Sequence, residues 1–96
     1  ASAVLGDLRW LEGVRAVFSA ARKAGVPTVL DADLGAREAL DGLLKLTDYA
    51  IFSAPALREF APGATDAERL GHVLSFGPKH AGVTLGSDGY AWREPS

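Results

Sequence analysis

The sequence predicts an α/β layer sandwich built on a mostly parallel sheet. Two observations lead there. Three short apolar runs each end in a polar or glycine-bearing elbow: Val26-Pro27-Thr28-Val29-Leu30 into Asp31-Ala32-Asp33, Tyr49-Ala50-Ile51-Phe52 into Ser53-Ala54-Pro55, and Ala81-Gly82-Val83-Thr84-Leu85 into Gly86-Ser87-Asp88-Gly89. Between the runs lie segments with helical apolar spacing, and strands separated by helices require parallel crossovers. A Rossmann-like three-layer sandwich with a closing C-terminal hairpin follows. In such sheets ligands bind beyond the carboxyl ends of the strands, so the elbows are where chemistry should collect.

The first element, residues 3–7, reads as a buried strand. Residues 10–24 read as a helix, with Leu11, Val14, Val17, Phe18 and Ala21 at helical spacing. Gly25 supplies its stop, with Lys23 in the last turn and Pro27 just beyond. A strand over 26–30 follows, then a helix over roughly 36–46 that buries Leu40, Leu43 and Leu44. After the strand at 49–52, residues 56–60 have room for one or two helical turns. A third long helix begins at Thr65, where Thr65-Asp66-Ala67-Glu68 matches a capping box, hydroxyl and carboxylate satisfying reciprocal N–H groups. Leu70, Val73 and Leu74 form its inner face and Gly77-Pro78 ends it. Strands over 81–85 and 90–92 close the chain. No internal repeat, low-complexity tract or linker is present.

Composition limits the function classes. The 96 residues are 48% hydrophobic and 23% charged, which suits one small globular domain or part of one. A net charge of −2 with scattered Lys and Arg argues against a nucleic-acid surface. The absence of cysteine removes disulfides, thiolate zinc sites and thiol nucleophiles, and fits a reducing compartment. No apolar run approaches the roughly 20 residues of a spanning helix, and no signal pattern opens the chain, so a cytoplasmic protein without membrane partners is expected. The chain opens on Ala1 and contains no methionine, with apolar strands at both ends. We therefore expect residues 1–96 to be the central to C-terminal part of an incomplete α/β domain, the alternative being a small protein whose initiator methionine has been processed away. Strands with missing neighbours at both ends predict self-association of the piece alone.

Each candidate site has a plain structural alternative. Asp7 after the first strand suits a helix cap, and Arg9 offers forked donors to a phosphate or carboxylate. Asp31 and Asp33 share a face if their strand extends that far, and suit Mg²⁺ through water, a sugar hydroxyl, or a turn and cap. His72 and His80 have no ligand partner at metal-binding spacing and read as surface or structural residues. In Gly86-Ser87-Asp88-Gly89 the glycines allow positive φ and close backbone approach, while Thr84 and Ser87 offer hydroxyls, so the turn suits an anion cradle or an ordinary hairpin connection. It has neither the P-loop signature nor G-x-G-x-x-G.

Four segments in order resemble the ribokinase (PfkB-type) carbohydrate kinases. Gly82-Val83-Thr84-Leu85-Gly86-Ser87-Asp88-Gly89-Tyr90 is similar to their nucleotide-binding strand and turn. Asp48-Tyr49-Ala50-Ile51-Phe52-Ser53 resembles the strand that begins with Asp and ends at a polar residue. Gly25-Val26-Pro27-Thr28-Val29-Leu30-Asp31 resembles their strand reading Gly, apolar, Pro, apolar run, Asp, and Asp7-Leu8-Arg9-Trp10 is similar to a segment of ketohexokinase-like members. The resemblance implies a ribokinase-like fold and ATP-dependent phosphoryl transfer to a sugar hydroxyl, with ATP and Mg²⁺ as cofactors and a small sugar as substrate. It implies that Thr84, Gly86, Ser87, Asp88 and Gly89 line the nucleotide, with Ser53 near its phosphates and Arg9 in the phosphoryl vicinity. The family's Asn-x-x-Glu is replaced by Ser53-Ala54-Pro55-Ala56, as in ketohexokinase-like members, which weakens Mg²⁺ organisation by this segment. The Gly-Ala-Gly-Asp motif with the catalytic base is expected beyond Ser96, so no residue here is assigned as base or metal ligand, and the piece alone is expected to be inactive. The competing reading is a stand-alone, non-enzymatic α/β ligand-binding or interaction module. The sequence that follows Ser96 in the gene separates the two.

Overall fold

In the computed structural model, residues 3–33 and 37–95 are described. Strand β1 (Val4–Asp7) leads into helix α1 (Leu11–Lys23), β2 (Thr28–Ala32), α2 (Arg37–Leu44) and β3 (Tyr49–Ser53). Two helices, α3 (Ala54–Phe60) and α4 (Asp66–Leu74), then precede β4 (His80–Thr84), a 3-10 turn (Gly86–Asp88) and β5 (Tyr90–Arg93). The five strands lie in sequence order; β1 to β4 are parallel and β5 returns antiparallel to β4, making the expected hairpin.

Local chemistry explains where the elements begin and end. Gly25, at φ 73°, closes α1, and the Val26 N–H folds back to Ala21 O at 2.8 Å. Val26 is thereby spent on the helix end, so β2 starts at Thr28, two residues later than its apolar run suggests. The α4 N-cap is Thr65, whose hydroxyl accepts the Glu68 N–H at 3.2 Å. The Glu68 carboxylate returns to the Ala64 N–H rather than to Thr65, one residue outside the expected box. α3 starts earlier than expected: the Ser53 hydroxyl accepts the Ala56 N–H, and Pro55 sits in the first turn, where its missing N–H does no harm. Asp7 does not cap α1; its carboxylate accepts the Arg9 N–H at 3.0 Å, and Trp10 is an N-cap without a side-chain bond. The expected start of α2 at residue 36 lies outside the described residues.

One core joins all four helices to one face of the sheet. Phe18, Leu43, Leu44, Leu57, Leu70 and Val73 pack on Leu30, Ala50, Phe52, Ala81 and Val83. Each right-handed crossover between strands in sequence order steps the same way, which sends every helix to the same side. Of the three layers expected, the described residues therefore supply two. The other face presents Leu5, Val29, Tyr49, Ile51 and Trp92, and β1, expected as buried, is an edge strand with Leu5 74% exposed. Val17, expected on the inner stripe of α1, is half-exposed because that helix covers the edge of the sheet and Val17 overhangs it. Among the described residues, no helix is long and apolar enough to cross a membrane.

Candidate functional site

The C-terminal ends of the parallel strands carry the polar elbows. Ser53 closes β3 directly opposite Thr84 of β4, and Thr84 in turn faces Tyr90 of β5. The Ser53 hydroxyl donates to Asp33 Oδ1 at 2.8 Å while accepting the Ala56 N–H at 3.3 Å. One oxygen thus joins the end of β2, the end of β3 and the start of α3. β2 stops at Ala32, so Asp31 is the last strand residue on the open face, where it lies opposite Asp7. A concavity of about 290 Å³ lined by Asp7, Asp31, Trp10 and Leu5 opens beside this carboxylate pair.

The turn after β4 is a compact backbone loop. The Leu85 N–H donates to Gly89 O at 2.7 Å, and the Gly89 N–H to Gly86 O at 3.2 Å. Gly86 at φ 61° occupies a conformation that few side chains besides Asn or Asp adopt, and Gly89 at φ 100° and ψ −136° one that is essentially confined to glycine. A Cβ on either glycine would meet nothing within 4 Å. The loop is therefore hairpin connection and exposed backbone at once, with Ser87 and Asp88 at the surface and Thr84 at its base.

The structure gathers Ser53, Thr84 and Gly86–Gly89 at one corner of the sheet edge, and adds Asp33 to them through Ser53. Arg9 is not with them. It is 93% exposed and pairs loosely with Asp7 at 3.7 Å. β1 and β4 are three strands apart, a lateral separation of about 14 Å.

An aromatic group on the open face escaped sequence reasoning. The Tyr90 ring crosses Gly82, where a Cβ would overlap the phenol oxygen, and that oxygen hydrogen-bonds to His80 Nε2 at 2.7 Å. His80 stacks on Trp92 and leans on Tyr49, at centroid distances of 5.4 and 5.6 Å. Burial raises the Tyr90 phenol above its ordinary value of 10.0. The only sequence signal was a glycine inside an apolar strand, a mark of close approach by another group. His72 packs against Phe60 and Phe76, a structural role. Among the described residues no three His, Asp or Glu side chains come together as metal ligands.

No family model matches the chain. Solved structures do. A protein from Agrobacterium tumefaciens assigned as a ribokinase is 34% identical, with a TM-score of 0.85, over 96% of this chain and 30% of its own length. A protein from E. coli assigned as Ribokinase II, in complex with ATP and Mg²⁺, is 21% identical with a TM-score of 0.74, over 88% of this chain and 30% of its own. Aminoimidazole riboside kinase from Salmonella enterica, complexed with aminoimidazole riboside and an ATP analogue, is 22% identical with a TM-score of 0.64, over 88% and 30%. The neighbours are sugar kinases of ribokinase and PfkB type, and the chain spans about 30% of their length.

Proposed function

We propose that this chain forms the nucleotide side of an ATP-dependent sugar kinase, whose sugar site and catalytic base lie on segments outside these 96 residues. One observation carries the reading. Ser53, Thr84 and the turn Gly86–Gly89 stand together at the C-terminal edge of a sheet that matches a ribokinase-type structure over 96% of the chain.

In this reading the open space above Gly86 and Gly89 lets a nucleotide lie against bare backbone, with the Thr84 and Ser87 hydroxyls and the Asp88 carboxylate around it. Ser53 stands nearer the middle of the sheet, where the phosphates would run, and its bond to Asp33 fixes the direction of its hydroxyl. Arg9, farther along the edge, would meet the distal end of an extended triphosphate. Mg²⁺ supplies charge neutralisation on the transferred phosphoryl group when bound. Asp33 suits its waters rather than a closed protein cage, since Mg²⁺ keeps several waters, and the Ser53 hydroxyl donates to a phosphate oxygen only by turning its proton away from Asp33. In this reading the base that takes the sugar proton is on another segment, so the 96-residue chain alone should transfer no phosphate.

The test is a nuclear magnetic resonance titration of the chain with millimolar Mg-ATP. Amide shifts should concentrate at Ser53 and at residues 84–89. Gly86→Asn keeps the positive φ and puts a side chain into the open space, so it should abolish those shifts while the spectrum stays folded. Shifts spread evenly over the surface, or unchanged in folded Gly86→Asn, would reduce the turn to an ordinary hairpin.

A further inference from the structure

The Gly86–Gly89 turn has little side-chain support of its own. Ser87 and Asp88 are exposed, and a Cβ on Gly86 or Gly89 would meet nothing within 4 Å. Its place is therefore set by backbone bonds and by the two residues that flank it, Thr84 and Tyr90, which face each other across the hairpin. On the β4 side the Thr84 hydroxyl donates to Phe52 O at 3.5 Å, a long bond. On the β5 side the hold is closer. The Tyr90 ring runs diagonally from the turn over Gly82, and its phenol oxygen ends 2.7 Å from His80 Nε2. Residues 80, 82, 90 and 92 share one face of the hairpin, and a Cβ at position 82 would overlap the phenol. His80 is itself held by rings from both neighbouring strands, Trp92 of β5 at 5.4 Å and Tyr49 of β3 at 5.6 Å between centroids. Glu94 Oε2 stands 3.9 Å from His80 Nδ1, which favours a proton there and leaves Nε2 to accept the Tyr90 O–H.

We propose that Tyr90 is a positioning residue for this turn: its bond to His80 across Gly82 braces Gly86–Gly89 in the shape that receives Mg-ATP. The choice of ligand rests on the nucleotide reading. The brace does not, because every contact in it lies among residues 49–94. An exposed, glycine-rich turn stays closed by a small margin. Loss of one hydrogen bond, worth roughly three- to tenfold in that equilibrium, leaves it largely open. Nucleotide then binds only to the closed fraction, and the apparent affinity falls with it. Tyr90 acts through the turn, and no contact of its own with the nucleotide is needed.

Amide hydrogen exchange and Mg-ATP titration, both followed by nuclear magnetic resonance on the 96-residue chain, test it. The Leu85 N–H donates to Gly89 O and closes the turn, so its exchange reports opening without any ligand. Tyr90→Phe keeps the ring and removes the bond. Leu85 exchange should then rise roughly three- to tenfold, and Mg-ATP affinity should fall roughly threefold. Gly82→Ala leaves the turn's own sequence unchanged and puts a methyl where the phenol lies, so it should do the same. Arg93→Ala releases β5 from Ala67 O at the end away from the turn, and should change either reading by less than about twofold. Circular dichroism reports that all three fold. Wild-type Leu85 exchange in folded Tyr90→Phe or Gly82→Ala overturns the brace, as does an Arg93→Ala chain whose turn opens equally. Faster exchange with unchanged Mg-ATP affinity overturns its role in binding. Weaker binding without faster exchange overturns it too, and makes Tyr90 a direct contact. A wild-type chain without Mg-ATP shifts at Ser53 and residues 84–89 sinks the nucleotide reading instead, and Leu85 exchange then decides the brace alone.

Discussion

At Asp48 one residue, through its carboxylate and its backbone carbonyl, ties together the starts of three strands. Its Oδ2 accepts the Thr28 N–H at 2.9 Å, its Oδ1 accepts from Arg22 at 3.2 Å, and its carbonyl accepts the Lys79 and His80 N–H groups. The Thr28 hydroxyl donates to Leu46 O and accepts the Asp48 N–H, completing a network with little access to water. Asp48→Ala should therefore destabilise by about 3 kcal/mol, because it strands the buried Thr28 N–H as well as removing an ion pair. Arg22→Ala should lower stability by about 1 kcal/mol or less, since that guanidinium is part-exposed and screened. Urea unfolding of the two variants checks the ratio; equal losses would mean the ion pair, not the amide, is the important partner. The sequence shows an Asp ahead of an apolar strand, and its resemblance to sugar kinases picks it out. Its role was not legible, because Thr28 and Arg22 lie 20 and 26 residues away. Gly82 and Tyr90 had the same problem, since their meeting depends on the register of β4 against β5.

Elements whose signals are local were read well, and those decided by a neighbour were not. The α4 cap lies within four residues of sequence, and Thr65 is where the structure puts it. α3 begins two residues earlier than expected because Ser53, which the resemblance to sugar kinases puts near the phosphates, is that helix's N-cap. The two roles can be separated. Ser53→Ala removes the cap and should lower stability by about 1 kcal/mol, while Ser53→Asn, with a side-chain acceptor, should restore most of it. If Ser53 serves only α3, Mg-ATP binding by folded Ser53→Asn will match wild type. If it also faces the phosphates, the Asn variant will melt like wild type and bind more weakly. β2 shows the converse limit: its apolar run was legible, but not the claim of the α1 terminus on Val26. At the site, the Gly86–Gly89 turn was legible from its glycines, whereas the Asp33–Ser53 bond required two strand ends to be neighbours.

For the molecule as a whole, the α/β class, the parallel direction of β1 to β4 and the hairpin strand followed from element order alone. The layering did not, because element order leaves strand order open. Only strands lying in sequence order force all helices to one side. Parallel sheets are ordinarily covered on both faces, so the face that carries Val29, Ile51 and Trp92 is unusual for its chemistry. Two adjacent residues of β3 make this measurable. Phe52 is fully buried under the helices, between Phe60 and the neighbouring strands. Ile51 points the other way, between Asp31 and Gly82, and is only partly covered. Phe52→Ala should cost about 3–5 kcal/mol, much of the roughly 5 kcal/mol available to a domain at the low end of stability, and leave the chain largely unfolded at 25 °C. Ile51→Ser should cost less, about 1–2 kcal/mol, because its side chain keeps some exposure and no helix rests on it. Thermal melting of the two variants decides the matter. Comparable losses at the two positions would mean that the open face is packed in solution and that the chain is not the two-layer sheet its strand order dictates.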